Sequence, residues 1–123
     1  MKLSFELYTS KVIECKAFYT LNFDFQVTLE LDGFVKLEHK NNSHYELLFC
    51  VPHSPFVHPI FHPEFNGQGA ILQMEVKNVK AELQRLKKRN IPIVVPLVNE
   101  PVNGLHFAIK DPSGLLIDIV QSI

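Results

Sequence analysis

Alternating apolar and polar side chains open the chain, with Leu3, Phe5 and Leu7 interleaved with Ser4, Glu6 and Tyr8. A period of two puts the first set on one face and the second on the other, as in a half-buried strand. From Ser10 the period changes. Val12, Cys15 and Tyr19 fall at helical spacing in SKVIECKAFYTLNF, and Ser10 is the expected N-cap. QVTLELDGFVKLEHK returns to alternation on either side of Asp32-Gly33, where glycine accepts the positive φ of a two-residue hairpin turn. The polar turn KNNS and the run HYELLFC complete a β-α-β-β-β order.

The same order then recurs. AILQMEV reads as a strand, and NVKAELQRLKKRN is the clearest helix in the chain. Val79, Leu83 and Leu86 share one face of it, Asn78 caps its start, Asn90 sits near its end and Pro92 stops it. IPIVVPLV predicts a short strand that Pro96 confines to a sheet edge. GLHFAIK and LLIDIVQ are two further strands joined by the turn DPSG. SFELYTSKV and ILQMEVKNV match in strand and helix start at a fixed offset, so the chain reads as an internal duplication. The expected organisation is one α+β domain over 1–123, made of a module at 1–51, a connector at 52–68 and a module at 69–123. Half-modules of this size cannot bury their own sheets, so the two are expected to pack together, within one chain or across a dimer.

Composition excludes several function classes. A chain of 123 residues can bury one core without disulfides or a structural metal. Twelve basic against thirteen acidic residues leave no electrostatic footprint for nucleic acid. No apolar run approaches the length of a membrane span, and MKLSFELYTS lacks the apolar core of a signal peptide. Cys15 and Cys50 lack ligand-type spacing and read as buried, reduced thiols. The expectation is a soluble cytoplasmic protein with neither nucleic acid nor membrane as partner. No nucleophile motif, phosphate-binding glycine loop or zinc-finger spacing is present.

The connector carries the most conspicuous chemistry, PHSPFVHPIFHPEF, with His53, His58 and His62 spaced like metal ligands. Pro52, Pro55, Pro59 and Pro63 fix much of its backbone and disfavour a helix, so that spacing does not bring the imidazoles to one face. It reads as a stiff strap, with phenylalanines suited to packing and with adventitious zinc or nickel as its only metal chemistry. Lys87, Lys88 and Arg89 complement a helix C-terminus and form a solvated face.

The stretch GAILQMEVKNVKAELQRLKKRNIPIVVPLVNEP, followed by GLHFAIKDPSGLLIDIVQ, is similar to the vicinal-oxygen-chelate superfamily. That superfamily contains the glyoxalases, bleomycin-resistance proteins, fosfomycin-resistance enzymes and extradiol dioxygenases. The most specific piece runs from His106 to Val120, and the first half matches more loosely through Ala17-Phe18-Tyr19. The resemblance implies paired modules, each a strongly curved mixed sheet around a cavity, and homodimers with shared clefts. In metal-using members it implies four ligands from the first and last strands of both modules. Those positions fall on Ser4, Glu46, Ile71 and Asp118. Two carboxylates without an imidazole would hold a divalent ion poorly. A shifted set of Glu6, Glu46, Gln73 and Asp118 is the alternative. Glu100-Pro101 stands where many relatives continue with Trp and Gly, and Val102-Asn103 follows here.

Together these readings predict a protein that binds a small, partly apolar organic molecule, without a cofactor and without a tightly held metal. Glu6, Tyr8, Glu46, Gln73, Glu75, His106 and Asp118 are the expected lining residues. The first alternative is a metal-dependent lyase, isomerase or dioxygenase whose divalent ion, on Glu46 and Asp118, polarises substrate oxygens. The second is a non-catalytic interaction module. His106 could hydrogen-bond a ligand, act as a base, or be a partly exposed strand histidine. His44 and Glu46 could form an acid–base pair or an ordinary polar pair.

Overall fold

The computed structural model describes residues 1–122. Its contacts divide the chain into two compact units, Met1–Asn66 and Gly67–Ile123. The first contains β1 (Leu3–Tyr8), α1 (Val12–Asn22), β2 (Phe25–Leu31), β3 (Phe34–His39) and β4 (Asn42–Cys50). The second contains β5 (Ile71–Val76), α2 (Val79–Lys88), β6 (Val95–Glu100), β7 (Gly104–Lys110) and β8 (Leu116–Gln121). The β-α-β-β-β order therefore occurs twice, and the fold is α+β.

Both sheets have the same topology, β1-β4-β3-β2 and β5-β8-β7-β6. In each, the first and last strands of the module run parallel and the other pairs are antiparallel. One face of each sheet is covered by its own helix. In the first unit Val12, Cys15 and Tyr19 of α1 are buried with Leu7, Leu47, Phe49, Val35, Leu37 and Phe25. The Tyr19 ring stacks on Phe49 and meets Phe25 edge-on. In the second, Val79, Leu83 and Leu86 are buried with Phe107, Ile109, Ile117 and Ile119. The period of two then forces the alternate residues of every strand onto the opposite, helix-free face.

Three local expectations change. Ser10 does not cap α1; the N-cap is Lys11, with no side-chain cap bond. Instead the Ser10 backbone N–H donates to the Glu64 carboxylate at 2.6 Å, a contact made by the strap. The Thr9 hydroxyl accepts from the Lys11 N–H at 3.0 Å. The second correction is that β6 starts at Val95, four residues into the apolar run from Ile91. Asn90 at φ 60 ends α2 in the left-handed conformation, and the Ile91 N–H turns back to the Leu86 carbonyl. Pro96 lies on the edge strand where the β6–β7 register shifts, between Val95 and Val98. The third is that the strap contains one 3₁₀ turn, Pro59–Phe61.

The strap packs on the first unit. The Phe65 N–H donates to the Tyr8 carbonyl at 2.9 Å, and the Phe61 ring stacks on Tyr8. Asn78 caps α2 as the sequence predicts, its side chain accepting from the Ala81 N–H at 3.0 Å.

Candidate functional site

The helix-free face of the first sheet is ordered in three rows, fixed by strand register. Ser4, Glu46, Glu38 and Gln26 stand opposite one another across β1, β4, β3 and β2. Glu6, Leu48 and Lys36 form the next row, and Tyr8, Cys50, Phe34 and Leu31 the third. The first row is polar and internally bonded. The Ser4 hydroxyl donates to Glu46 Oε1 at 2.5 Å, and Lys2 Nζ lies 3.0 Å from Glu46 Oε2 and 3.2 Å from Glu38 Oε2. Burial pushes the Glu46 carboxyl up, but the Ser4 hydroxyl and the Lys2 ammonium outweigh it and hold the group below its ordinary value. Lys2 is raised in turn by Glu46 and Glu38. In the third row, burial and the Glu6 carboxylate push the Tyr8 hydroxyl and the Cys50 thiol up, so both keep their protons at neutral pH.

The corresponding face of the second sheet is built around a histidine. Gln73 stands opposite Asp118, which stands opposite Ala108, while His106 faces Val120 and Val98. His106 is 6% exposed. Its Nδ1 lies 2.7 Å from Asp118 Oδ1, across the diagonal of the β7–β8 ladder. Its Nε2 is 3.3 Å from Glu100 Oε1 but lacks the alignment of a hydrogen bond, and among the described residues it has no hydrogen-bond partner. The Asp118 hydrogen bond raises the imidazole pKa against the opposing effect of burial, and Glu100 adds to the rise. Glu75 and Gln73 are exposed on this face.

Register brings Ser4 to Glu46 and Gln73 to Asp118; Ile71 faces Leu116 instead. His44 takes no part at Glu46, whose oxygens are engaged by Ser4 and Lys2. Two partners of the predicted lining residues were not expected from the sequence, Lys2 at Glu46 and Glu100 at His106. Lys2 shares the period-two face of Ser4, which was a usable signal; Glu100 reaches His106 only through the β6–β7 register. As a metal set, Ser4 supplies a neutral hydroxyl, Ile71 supplies no donor, and both carboxylates already bond to neighbours. Among the described residues, no group of three or more His, Cys, Asp or Glu side chains is arranged to hold an ion.

The His53 and His62 rings meet edge-on with centroids 5.4 Å apart, but the three strap histidines form no metal-holding group among the described residues. His62 Nε2 donates to the Val57 and Ser54 carbonyls at 2.9 and 3.2 Å, and His58 Nδ1 accepts from the Ile60 N–H. A groove of about 310 Å³ lies elsewhere on the first unit, between the start of α1 and the β2–β3 hairpin, floored by Val12, Ile13, Leu31 and Val51. None of the predicted lining residues borders it. Among the described residues no helix is long and apolar enough to cross a membrane.

No curated protein sequence matches the chain. Solved structures do match in fold. A lactoylglutathione lyase from Agrobacterium tumefaciens aligns with a TM-score of 0.75 at 22% identity, covering 99% of this chain and 93% of that one. A glyoxalase/bleomycin resistance protein/dioxygenase from Nocardioides aligns at 0.80 and 17% identity, covering 100% and 83%. TnmS3, an antibiotic binding protein from Streptomyces sp. CB03234, aligns at 0.72 and 19%, covering 100% and 96%. These likenesses establish the fold. The family itself follows from the sequence match over residues 3–119: the chain belongs to the glyoxalase/bleomycin resistance protein/dioxygenase superfamily.

Proposed function

We propose that this protein binds a small, partly apolar organic molecule on the helix-free sheet faces, as a homodimer and without a tightly held metal. Glu6, Tyr8, Glu46, Gln73, Glu75, His106 and Asp118 supply the polar contacts. The observation that carries the reading is the state of the two carboxylates at the family's ligand positions. Each is already engaged inside its own module, Glu46 by Ser4 and Lys2 and Asp118 by His106. A divalent ion would have to displace these partners and would then find a hydroxyl and a hydrocarbon, Ser4 and Ile71, as its remaining donors. What is left suits an organic ligand: apolar floor with a few placed polar groups. The fold's occurrence in an antibiotic binding protein is consistent with that use.

Ile13 and Leu21 on α1 are each 70% exposed, which supports self-association. The buried Cys15 and Cys50, which form no disulfide among the described residues, support a reducing, cytoplasmic setting.

Metal analysis of purified protein tests the first part. Substoichiometric divalent content, together with thermal stabilisation by members of an aromatic small-molecule library, is the expected result. One tightly held ion per chain would replace this reading with the metal-dependent enzyme. Light scattering is expected to give twice the chain mass.

A further inference from the structure

The middle row of the first sheet carries two opposite charges that have no ion-pair partner among the described residues. Glu6 on β1 and Lys36 on β3 stand on either side of Leu48 on β4. The nearby carboxylates pair elsewhere, Glu38 and Glu46 with Lys2 and Glu30 with Lys16, although the Lys36 charge still acts on Glu46 through space. Two strand spacings, roughly 10 Å, separate the backbones of β1 and β3, and the two side chains do not form an ion pair with each other. Lys36 and Leu48 are half-buried.

The rows on either side differ in kind. The Ser4–Glu46–Glu38 row is closed by its own network. The Tyr8–Cys50–Phe34 row is aromatic and apolar, and the strap extends it, since Phe61 is 56% exposed and stacks on Tyr8 with ring centroids 6.4 Å apart. An apolar strip thus runs beside an anionic and a cationic residue on strands whose backbones are about 10 Å apart.

The geometry points to a zwitterionic ligand: its cationic group meets Glu6, its anionic group meets Lys36, and its aromatic or aliphatic body lies over Leu48 against Tyr8 and Phe34. This rests on the small-molecule reading and names its chemical class. A molecule with one charge would satisfy one end and leave the other charge beside apolar surface, so the pair selects for both.

The tripeptide Gly-Phe-Gly with free termini spans about 10 Å and is the probe. Titrated into the isotope-labelled full chain, it is expected to shift backbone amide resonances of β1, β3 and β4. N-acetylation and C-amidation are each expected to weaken binding about two- to fivefold, the range of exposed ion pairs. Glu6→Gln is expected to abolish the effect of acetylation and leave that of amidation; Lys36→Met does the reverse. That crossed pattern cannot arise from a variant that merely folds poorly. Equal binding of free and doubly capped peptide on these strands overturns the zwitterion and leaves small-molecule binding intact. Shifts confined to other strands overturn it likewise. If neither the peptides nor phenol, indole and naphthalene shift any resonance, both readings fall.

Discussion

His106 and Asp118 are joined at 2.7 Å across β7 and β8, while the other ring nitrogen of His106 is buried without a hydrogen bond. The pair is expected to make the second sheet pH-sensitive. The imidazole pKa is raised above 6.5, chiefly by the Asp118 hydrogen bond. The folded chain therefore holds that proton more tightly than the unfolded chain does. The resulting stability is complete below about pH 6.5 and is lost as pH rises through the folded value. Urea denaturation between pH 5.5 and 8.5 is expected to show this loss in the wild type and a flatter profile in Asp118→Asn. At the acid end Asp118→Asn is expected to cost about 1.5–3 kcal/mol, as for a hydrogen bond to a charged group. Parallel profiles for the two chains would show that the pair contributes nothing to the pH dependence.

Glu46 gives the opposite sign. Burial alone would raise its carboxyl, yet Ser4 and Lys2 bring it below 4.5. Its contribution is present above pH 4.5 and is lost as pH falls through the lower folded value. A carbon-detected NMR titration of the Glu46 carboxyl is expected to place its midpoint below 4.5, and Lys2→Met is expected to move it up. A midpoint at or above 4.5 in the wild type would remove the argument that this carboxylate is already satisfied.

The two sites differ in how far sequence reaches them. Period-two and helical patterns located the strands and helices, because burial on one face is a local signal, and Asp32-Gly33 and Asn78 marked a turn and a cap by backbone chemistry alone. Glu6, Tyr8 and Gln73 could be placed on a polar face for the same reason. Lys2 at Glu46 could not be paired from the sequence, since it depends on register between strands far apart in the chain, and Glu100 at His106 depends on the shifted register of the β6–β7 pair. Ser10 is not the cap because α1 starts one residue later, after Lys11, and the Ser10 N–H is held by Glu64 of the strap. In the strap, one ring nitrogen each of His58 and His62 is used on nearby backbone groups, a local detail that the histidine spacing does not reveal.

The buried aromatic residues should separate sharply from the exposed ones. Phe107 has no exposed surface and sits under α2, whereas Phe56 on the strap is 95% exposed. Phe107→Ala is expected to cost about 3–5 kcal/mol in chemical denaturation. Phe56→Ala is expected to stay within about 0.5 kcal/mol of the wild type. A comparable cost at Phe56 would mean that the strap buries it in the assembled protein, and light scattering of the variant would then show a change in mass.

The β2–β3 turn supplies a test of backbone conformation against packing. Gly33 has φ +74, and a Cβ built on it would lie 2.7 Å from Val51 Cγ2, far inside contact distance. The Gly33 carbonyl also accepts from the Val51 N–H at 2.9 Å, so the two cannot simply move apart. Gly33→Ala therefore meets two separate costs, about 1 kcal/mol for an L-residue at positive φ and about 1–3 kcal/mol for the collision. Val51→Ala removes the methyl groups in the way and leaves the backbone conformation unchanged. In a double-mutant cycle read by urea denaturation, Val51→Ala in the Gly33→Ala background is expected to recover the collision cost and leave the conformational cost. The coupling should be about 1 kcal/mol or more, since residues in contact do not add. Additivity within about 0.5 kcal/mol would show that the hairpin relaxes around the new methyl group.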